Sequence, residues 1–383
     1  MLIVADENIP LLDQFFEEIG TIRRVSGRTM TSADVRDADV LLVRSVTRVD
    51  RQLLEDSRVK FVGTATIGTD HVDVAWLESQ GIAFACAPGC NAASVVDYVL
   101  SVLSVYAEKR AMEGWTDLSV GIVGAGNVGR RLATRLDKLG FDIKVNDPPR
   151  EAEEPDEGFD SLEDALGCDV VTLHTPLTRY GNHPTRHLMN AERLRRLNPS
   201  QLLINTSRGG VVDCEALSSR LADADAPQVV LDVWEGEPQV SAELASRVWL
   251  MTPHIAGYSL EGKVGGTEMI YQSLCHFLGL PVRKKSGQFM ADPALSKLSF
   301  TSSANARDAA QLAIRACYDV RRDDSRFRRW VLELPEGERA AAFDAMRRDY
   351  PVRREFSSTK IQLKGGAKEL QQVFKALEFK LKL

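Results

Sequence analysis

One stretch constrains this chain more than any other. Ser119 to Val123 is a short run of strand-forming residues that flows into Gly124-Ala125-Gly126-Asn127-Val128-Gly129, after which Val128, Leu132, Leu136 and Leu139 recur at helical spacing. A strand that turns on glycines into a helix lets backbone N–H groups approach a pyrophosphate at the helix N-terminus. Asp147, eighteen residues after the last glycine, stands where an acid accepts hydrogen bonds from the adenosine ribose. The expected cradle is therefore Gly124, Gly126, Asn127, Val128, Gly129 and Asp147. An acid there repels a 2′-phosphate, so NAD is the expected cofactor, with nearby Arg150 as the one feature pointing to NADP.

The same stretch belongs to a longer pattern. Runs at Ser119–Val123, Ile143–Asn146, Val170–Leu173, Leu202–Asn205, Val229–Leu231 and Val248–Met251 alternate with helical segments, which predicts a parallel sheet with crossover helices. Ligands of such sheets sit beyond the carboxyl ends of the strands, where this sequence places Gly124, Asp147, Thr175, Arg208, Asp232 and His254. The first ninety residues repeat the theme at Leu2–Ala5, Val40–Val43, Phe61–Gly63 and Ile82–Cys86, and their strand ends offer Asp6, Arg44, Ser45, Thr64 and Thr66. Two such units facing one another would leave a cleft. An apolar helix over 93–108 places one interdomain crossing near Asn91, and the return is expected near Gly257.

Length and charge set the remaining bounds. A chain of 383 residues exceeds one ordinary core, so two or three domains are expected. Residues 286–383 carry 19 Lys+Arg against 13 Asp+Glu, while residues 1–285 carry 29 against 41. The basic tail raises the possibility of nucleic-acid binding, which the acidic body disfavours. No apolar run is long and uncharged enough for a signal peptide or a membrane span. Six scattered cysteines without a CxxC pair suit reduced thiols in the cytoplasm, and no metal site is expected.

Three residues carry the expected chemistry. Arg208, between Asn205-Thr206-Ser207 and Gly209-Gly210, presents a planar fork suited to a carboxylate, with a surface ion pair to Asp213 as the plain alternative. His254 follows Thr252-Pro253 at a strand end, and Asp232 and Glu237 are the acids within reach of it in sequence pattern. A carboxylate beside an imidazole fixes its tautomer and favours its protonated form, which suits proton exchange with a substrate hydroxyl. His71 is explained by helix capping through Asp70, and His174 is expected to line the cofactor site without doing chemistry.

Together these motifs resemble the D-isomer-specific 2-hydroxyacid dehydrogenases. The resemblance implies that His254 is the acid/base, that Glu237 orients it and that Arg208 binds the substrate carboxylate. It also implies that Thr175, Asp232 and Gly257 contact the nicotinamide end or ribose, and that Ser45, Thr66 and Tyr258 bind substrate; Arg44 joins them as a phosphate candidate by charge alone. The segments Tyr318-Asp319-Val320-Arg321-Arg322-Asp323-Asp324 and Arg353-Arg354-Glu355 resemble a C-terminal dimerisation domain of a branch acting on a phosphorylated hydroxy acid, and Arg353 and Arg354 are further phosphate candidates. The implied fold class is α/β, with two Rossmann-like doubly wound domains and a C-terminal α+β domain. Its parts are a discontinuous flavodoxin-like substrate domain (1–92 and 258–285), an inserted dinucleotide-binding domain (93–257) and a dimerisation domain (286–383). The expected partners are a small phosphorylated hydroxy acid and a second copy of the chain, with no nucleic acid and no membrane. A dehydrogenase of 3-phosphoglycerate or a related acid, and an NAD-sensing corepressor, remain the alternative readings.

Overall fold

In the computed structural model, which describes residues 1–365 and 368–382, the alternating apolar runs become three parallel sheets. The chain folds as two compact units, Met1–Ala93 with Tyr258–Asp292, and Ser94–Gly257 with Pro293–Leu383.

The first unit contains β1 (Leu2–Asp6), β2 (Thr21–Val25), β3 (Val40–Val43), β4 (Phe61–Thr64) and β5 (Ala83–Ala85), in the order β2-β1-β3-β4-β5. Successive side chains of a strand point to opposite faces, so Ile3, Ala5, Val40, Leu42 and Phe61 enter one core and Val4, Leu41, Val43 and Val62 the other. The helix Leu260–Phe277 seals the first of these cores through Val264, Ile270 and Leu274. Strand β2 escapes the hydrophobic pattern because Thr21, Arg23 and Arg24 are exposed on an edge strand.

The second unit contains β6 (Ser119–Val123), β7 (Asp142–Asn146), β8 (Val170–Leu173), β9 (Leu202–Asn205), β10 (Gln228–Leu231) and β11 (Leu250–Met251), ordered β11-β10-β9-β8-β6-β7. The order reverses between β6 and β8, which is where a doubly wound sheet opens a crevice at its carboxyl edge. Residues 293–383 pack with this unit. Their helices Arg321–Glu333 and Glu336–Arg348 bury Phe327, Val331 and Phe343 in the core that also holds Leu231, Trp234 and Met251. Asp324 accepts from the Met251 N–H at 2.9 Å, which satisfies a backbone donor on the edge strand β11.

The remainder of the tail forms β12 (Lys297–Thr301), β13 (Lys360–Lys364) and β14 (Lys380–Lys382), paired in parallel in that order. The lysine-rich ending, which follows no pattern legible from its composition, is thus a strand–helix–strand in which Lys360 and Lys364 are exposed while Ile361 and Leu363 are buried. All six cysteines are free thiols. Among the described residues no helix is long and apolar enough to cross a membrane.

Candidate active site

The glycine turn works by close packing at two positions and by openness at the third. A Cβ on Gly129 would lie 1.9 Å from the Gly124 carbonyl oxygen, and one on Gly124, whose φ is +97°, would meet the His174 carbonyl carbon at 2.8 Å. These two glycines are required by the fold itself. At Gly126 nothing lies within 4 Å of a Cβ position, and this residue opens the helix Asn127–Leu139 with no side-chain cap. The first-turn N–H groups of Asn127, Val128 and Gly129 thus face room that a pyrophosphate would fill.

Asp147 sits at the end of β7, where its Oδ2 accepts from the Ala125 N–H at 2.7 Å and its Oδ1 from the Arg150 N–H at 3.1 Å. The carboxylate is thereby fixed against the glycine turn. Arg150 donates to the Ala125 carbonyl at 2.8 Å and pairs with Glu154, so its guanidinium is already engaged by an acid. That weakens the one feature that pointed to NADP. At the end of β8, the Thr175 hydroxyl is buried without a hydrogen-bond partner, an orphan expected where a ligand supplies the missing group. The turn, the acid and the orphaned hydroxyl together fit a dinucleotide.

The opposite half of the sheet holds a histidine paired with an acid. His254 Nδ1 lies 2.5 Å from Glu237 Oε1, and Glu237 Oε2 accepts from the Trp234 N–H at 3.2 Å. Burial pushes the Glu237 carboxyl up, but the adjacent His254 charge and hydrogen bond, the Arg347 guanidinium and the Trp234 N–H together hold it below the usual carboxylate range. An ionised Glu237 only accepts, so Nδ1 carries the proton of this pair. His254 itself adopts φ +57°, the left-handed region that few non-glycine residues occupy, and its N–H donates to the Asp232 carbonyl at 2.7 Å.

Asp232 is tied to the loop that carries His254. Its carboxylate, buried at 1 % exposure, accepts from Thr252 Oγ1 at 2.6 Å, Ile255 N at 2.8 Å and Ala256 N at 2.9 Å. It scaffolds the loop that carries His254, while Glu237 is the histidine's partner. Arg208 donates from Nη1 to the Ser207 carbonyl at 2.8 Å, and Asn205 Nδ2 donates to the Arg208 carbonyl at 3.0 Å. Asp213 caps the helix Cys214–Arg220 through the Ala216 N–H.

His174 bonds Thr172 Oγ1 at 3.0 Å and Thr206 Oγ1 at 3.3 Å. Although part of the residue reaches solvent, burial of the ring drives its pKa down to about 3, so it is neutral near pH 7 and no acid/base.

The first unit, taken by itself, brings together a separate polar set. Buried Asp6 accepts from Arg44 Nε at 3.2 Å, and Thr64 Oγ1 lies 2.8 Å from Thr66 Oγ1 and 3.0 Å from His71 Nε2. The helix after His71 is capped by Asp73, whose Oδ1 accepts from the Trp76 N–H, and not by Asp70. His71 thus belongs to a hydroxyl network that the capping explanation missed. Ser45 is exposed, and the Lys263 ammonium lies 4.4 Å from the centre of the Tyr258 ring. Arg353, a phosphate candidate in the sequence, is instead buried in the second unit against backbone carbonyls.

Fold and site together define an NAD-dependent dehydrogenase with a Rossmann sheet. Residues 104–256 match the family described as "D-isomer specific 2-hydroxyacid dehydrogenase, NAD binding domain", and residues 289–377 match a domain of unknown function (DUF3410). An erythronate-4-phosphate dehydrogenase of Marinobacter nauticus is 66% identical over 385 residues, covering 100% of both chains, and one of Hahella chejuensis is 52% identical, covering 100% of this chain and 99% of its own. Cofactor-bound 3-phosphoglycerate dehydrogenase of Entamoeba histolytica shares the fold, with TM-score 0.62 and 23% identity over 76% of this chain and 99% of that one. So does D-lactate dehydrogenase of Aquifex aeolicus complexed with NAD and lactic acid, with TM-score 0.58 and 22% identity over 73% of this chain and 96% of its own. The chain belongs to the erythronate-4-phosphate dehydrogenase family, within the D-isomer specific 2-hydroxyacid dehydrogenases.

Proposed function

We propose that this protein oxidises 4-phospho-D-erythronate at C2 to 3-hydroxy-2-oxo-4-phosphobutanoate, as a cytoplasmic homodimer serving vitamin B6 biosynthesis. The observation that carries the reading is the His254–Glu237 pair, held at 2.5 Å on the sheet that also bears the glycine turn. Bound NAD⁺ supplies the nicotinamide ring that accepts the hydride leaving C2. His254 Nε2 removes the C2 hydroxyl proton as that bond breaks, and the ionised Glu237 stabilises the imidazolium that results. Arg208 holds the substrate carboxylate through two parallel hydrogen bonds and draws electron density from the C2 oxygen.

Gly124, Gly126, Asn127, Val128 and Gly129 take the pyrophosphate, Asp147 the adenosine ribose, and Thr175, Asp232 and Gly257 the nicotinamide end. Arg44, Ser45, Thr66 and Tyr258 are assigned to the substrate, whose phosphate and hydroxyls need several donors. The Asp6 carboxylate orients Arg44 for such a role. The net-basic final segment, with Leu312 left 58 % exposed on a helix, suits contact with a second, net-acidic copy, which light scattering in solution reads directly.

The deciding experiment follows nicotinamide absorbance with 4-phospho-D-erythronate, D-erythronate, 3-phosphoglycerate and D-lactate. Turnover confined to 4-phospho-D-erythronate is expected. Equal turnover of D-erythronate removes the phosphate from the recognition, and no turnover of any acid refutes the assignment.

A further inference from the structure

The C-terminal segment that matches a domain of unknown function sends one side chain into the wall of the catalytic loop. Arg353 is 7 % exposed, with its guanidinium carbon 4.3 Å from the centre of the Tyr318 ring. Its Nη2 donates to the Ser94 carbonyl at 3.0 Å, to Ser94 Oγ and to the Ala256 carbonyl, and its Nη1 to the Ile255 carbonyl at 3.4 Å. Ser94 Oγ in turn donates to the same Ala256 carbonyl at 3.0 Å. On the other side, the Asp232 carboxylate accepts from the N–H groups of Ile255 and Ala256. The two residues that follow His254 are therefore gripped by their donors and by their acceptors at once, between a buried anion and a buried cation.

A left-handed backbone at a non-glycine residue persists only where its surroundings over-determine it. Asp232 fixes the N–H groups of the two residues that follow His254 and leaves their carbonyls to Arg353 and Ser94. We infer that Arg353 is a positioning residue for His254, so that the C-terminal segment completes the catalytic loop of its own subunit. Arg353 touches neither the proton being moved nor the imidazole; it acts through the backbone. The inference rests on the reading of His254 as the acid/base.

The test uses the full-length chain with Arg353→Met and Arg353→Lys. A misplacement of about 1 Å at a reacting group costs up to about 10²-fold in rate, so Arg353→Met is expected to lower kcat by roughly 10–100-fold. The KM for 4-phospho-D-erythronate and the NAD affinity, measured by titration calorimetry, should stay within about threefold, because a positioning defect acts on the chemical step. Arg353→Lys, which keeps a donor for one carbonyl, should recover part of the loss. In a His254→Ala background Arg353→Met should cost nothing more, whereas a role independent of the histidine multiplies the two losses.

A kcat within about threefold of the parent, a loss seen only as weaker NAD binding, or multiplying losses each overturn the inference. If Arg353→Met does not fold, Ser94→Ala decides, since it removes one donor to Ala256 and one acceptor of Arg353. A kcat reduced by about 3–10-fold with NAD affinity intact supports the role, and an unchanged kcat refutes it. Full turnover by His254→Ala would instead sink the underlying reading of the histidine.

Discussion

Two parallel sheets in one chain share a winding order and differ in what the turn after their first strand can hold. In the first unit β1 ends on Asp6, and the turn Glu7-Asn8-Ile9-Pro10 leads to a helix of 5 residues, Leu12–Phe16. Its strand-end acid is turned inward, buried and bound to Arg44. In the second unit β6 ends on the glycine turn, which opens a helix of 13 residues with an uncapped N-terminus, and the acid arrives from the next strand as Asp147. The longer helix aligns more peptide dipoles and leaves its first N–H groups for a ligand. Winding order alone does not place a cofactor; the turn does, and the same topology without it offers side-chain donors only.

That division breaks most sharply at His254. His254→Ala should lower kcat by about 10²–10⁴-fold, the usual worth of a positioned acid/base, while NAD affinity stays nearly unchanged because the cradle lies at other strand ends. Stopped-flow turnover beside calorimetric NAD titration separates the two, and a variant that keeps most of its turnover abolishes the distinction between cradle and chemistry. The next largest effect belongs to the first unit. A hydrogen bond to a charged group contributes about 1.5–3 kcal/mol, so Arg44→Met should raise the KM for 4-phospho-D-erythronate by roughly 10–100-fold. The KM for unphosphorylated D-erythronate and the affinity for NAD should not move. Equal increases for both acids would take the phosphate away from Arg44.

Most of the second sheet is legible in the sequence because its strands are buried on both faces and read as mostly apolar runs, as in Val170–Leu173, broken only by Thr172, and Leu202–Ile204. Glycine spacing is equally legible, since Gly124 and Gly129 are dictated by contacts that any side chain would violate. Strand β2 is not, because Arg23 and Arg24 occupy an exposed edge. Nor is the tail: its composition shows basic helices, but the alternation of Lys360, Ile361, Gln362, Leu363 and Lys364 is a short half-buried strand whose period is masked by flanking charge. The roles of Asp232 and Arg353 were illegible for a further reason. Both act on backbone groups more than twenty residues away in the chain, at 2.8–3.4 Å, and no local pattern marks a side chain that will bond a distant peptide.

The smallest expected effect concerns the second histidine of the sheet and sharpens the boundary between its two halves. His174 stands beside the glycine turn, with its ring between Thr172 and Thr206, and burial lowers its pKa from the ordinary 6.5 to about 3. Between those values the unfolded chain binds a proton that the folded one refuses, so stability falls as pH drops from about 6.5 toward 3, and rises as pH increases through that window. At roughly 1.4 kcal/mol per pH unit, moving from pH 7 to pH 5 should remove about 2 kcal/mol through this group alone. His174→Asn has no proton to gain and keeps a partner for one of the threonines. Urea unfolding of both proteins at pH 7 and pH 5 should therefore show the parent losing about 2 kcal/mol more than the variant. Equal losses would mean that the ring is protonated in the folded state, and a protonatable group would then sit on the cofactor side as well as at His254.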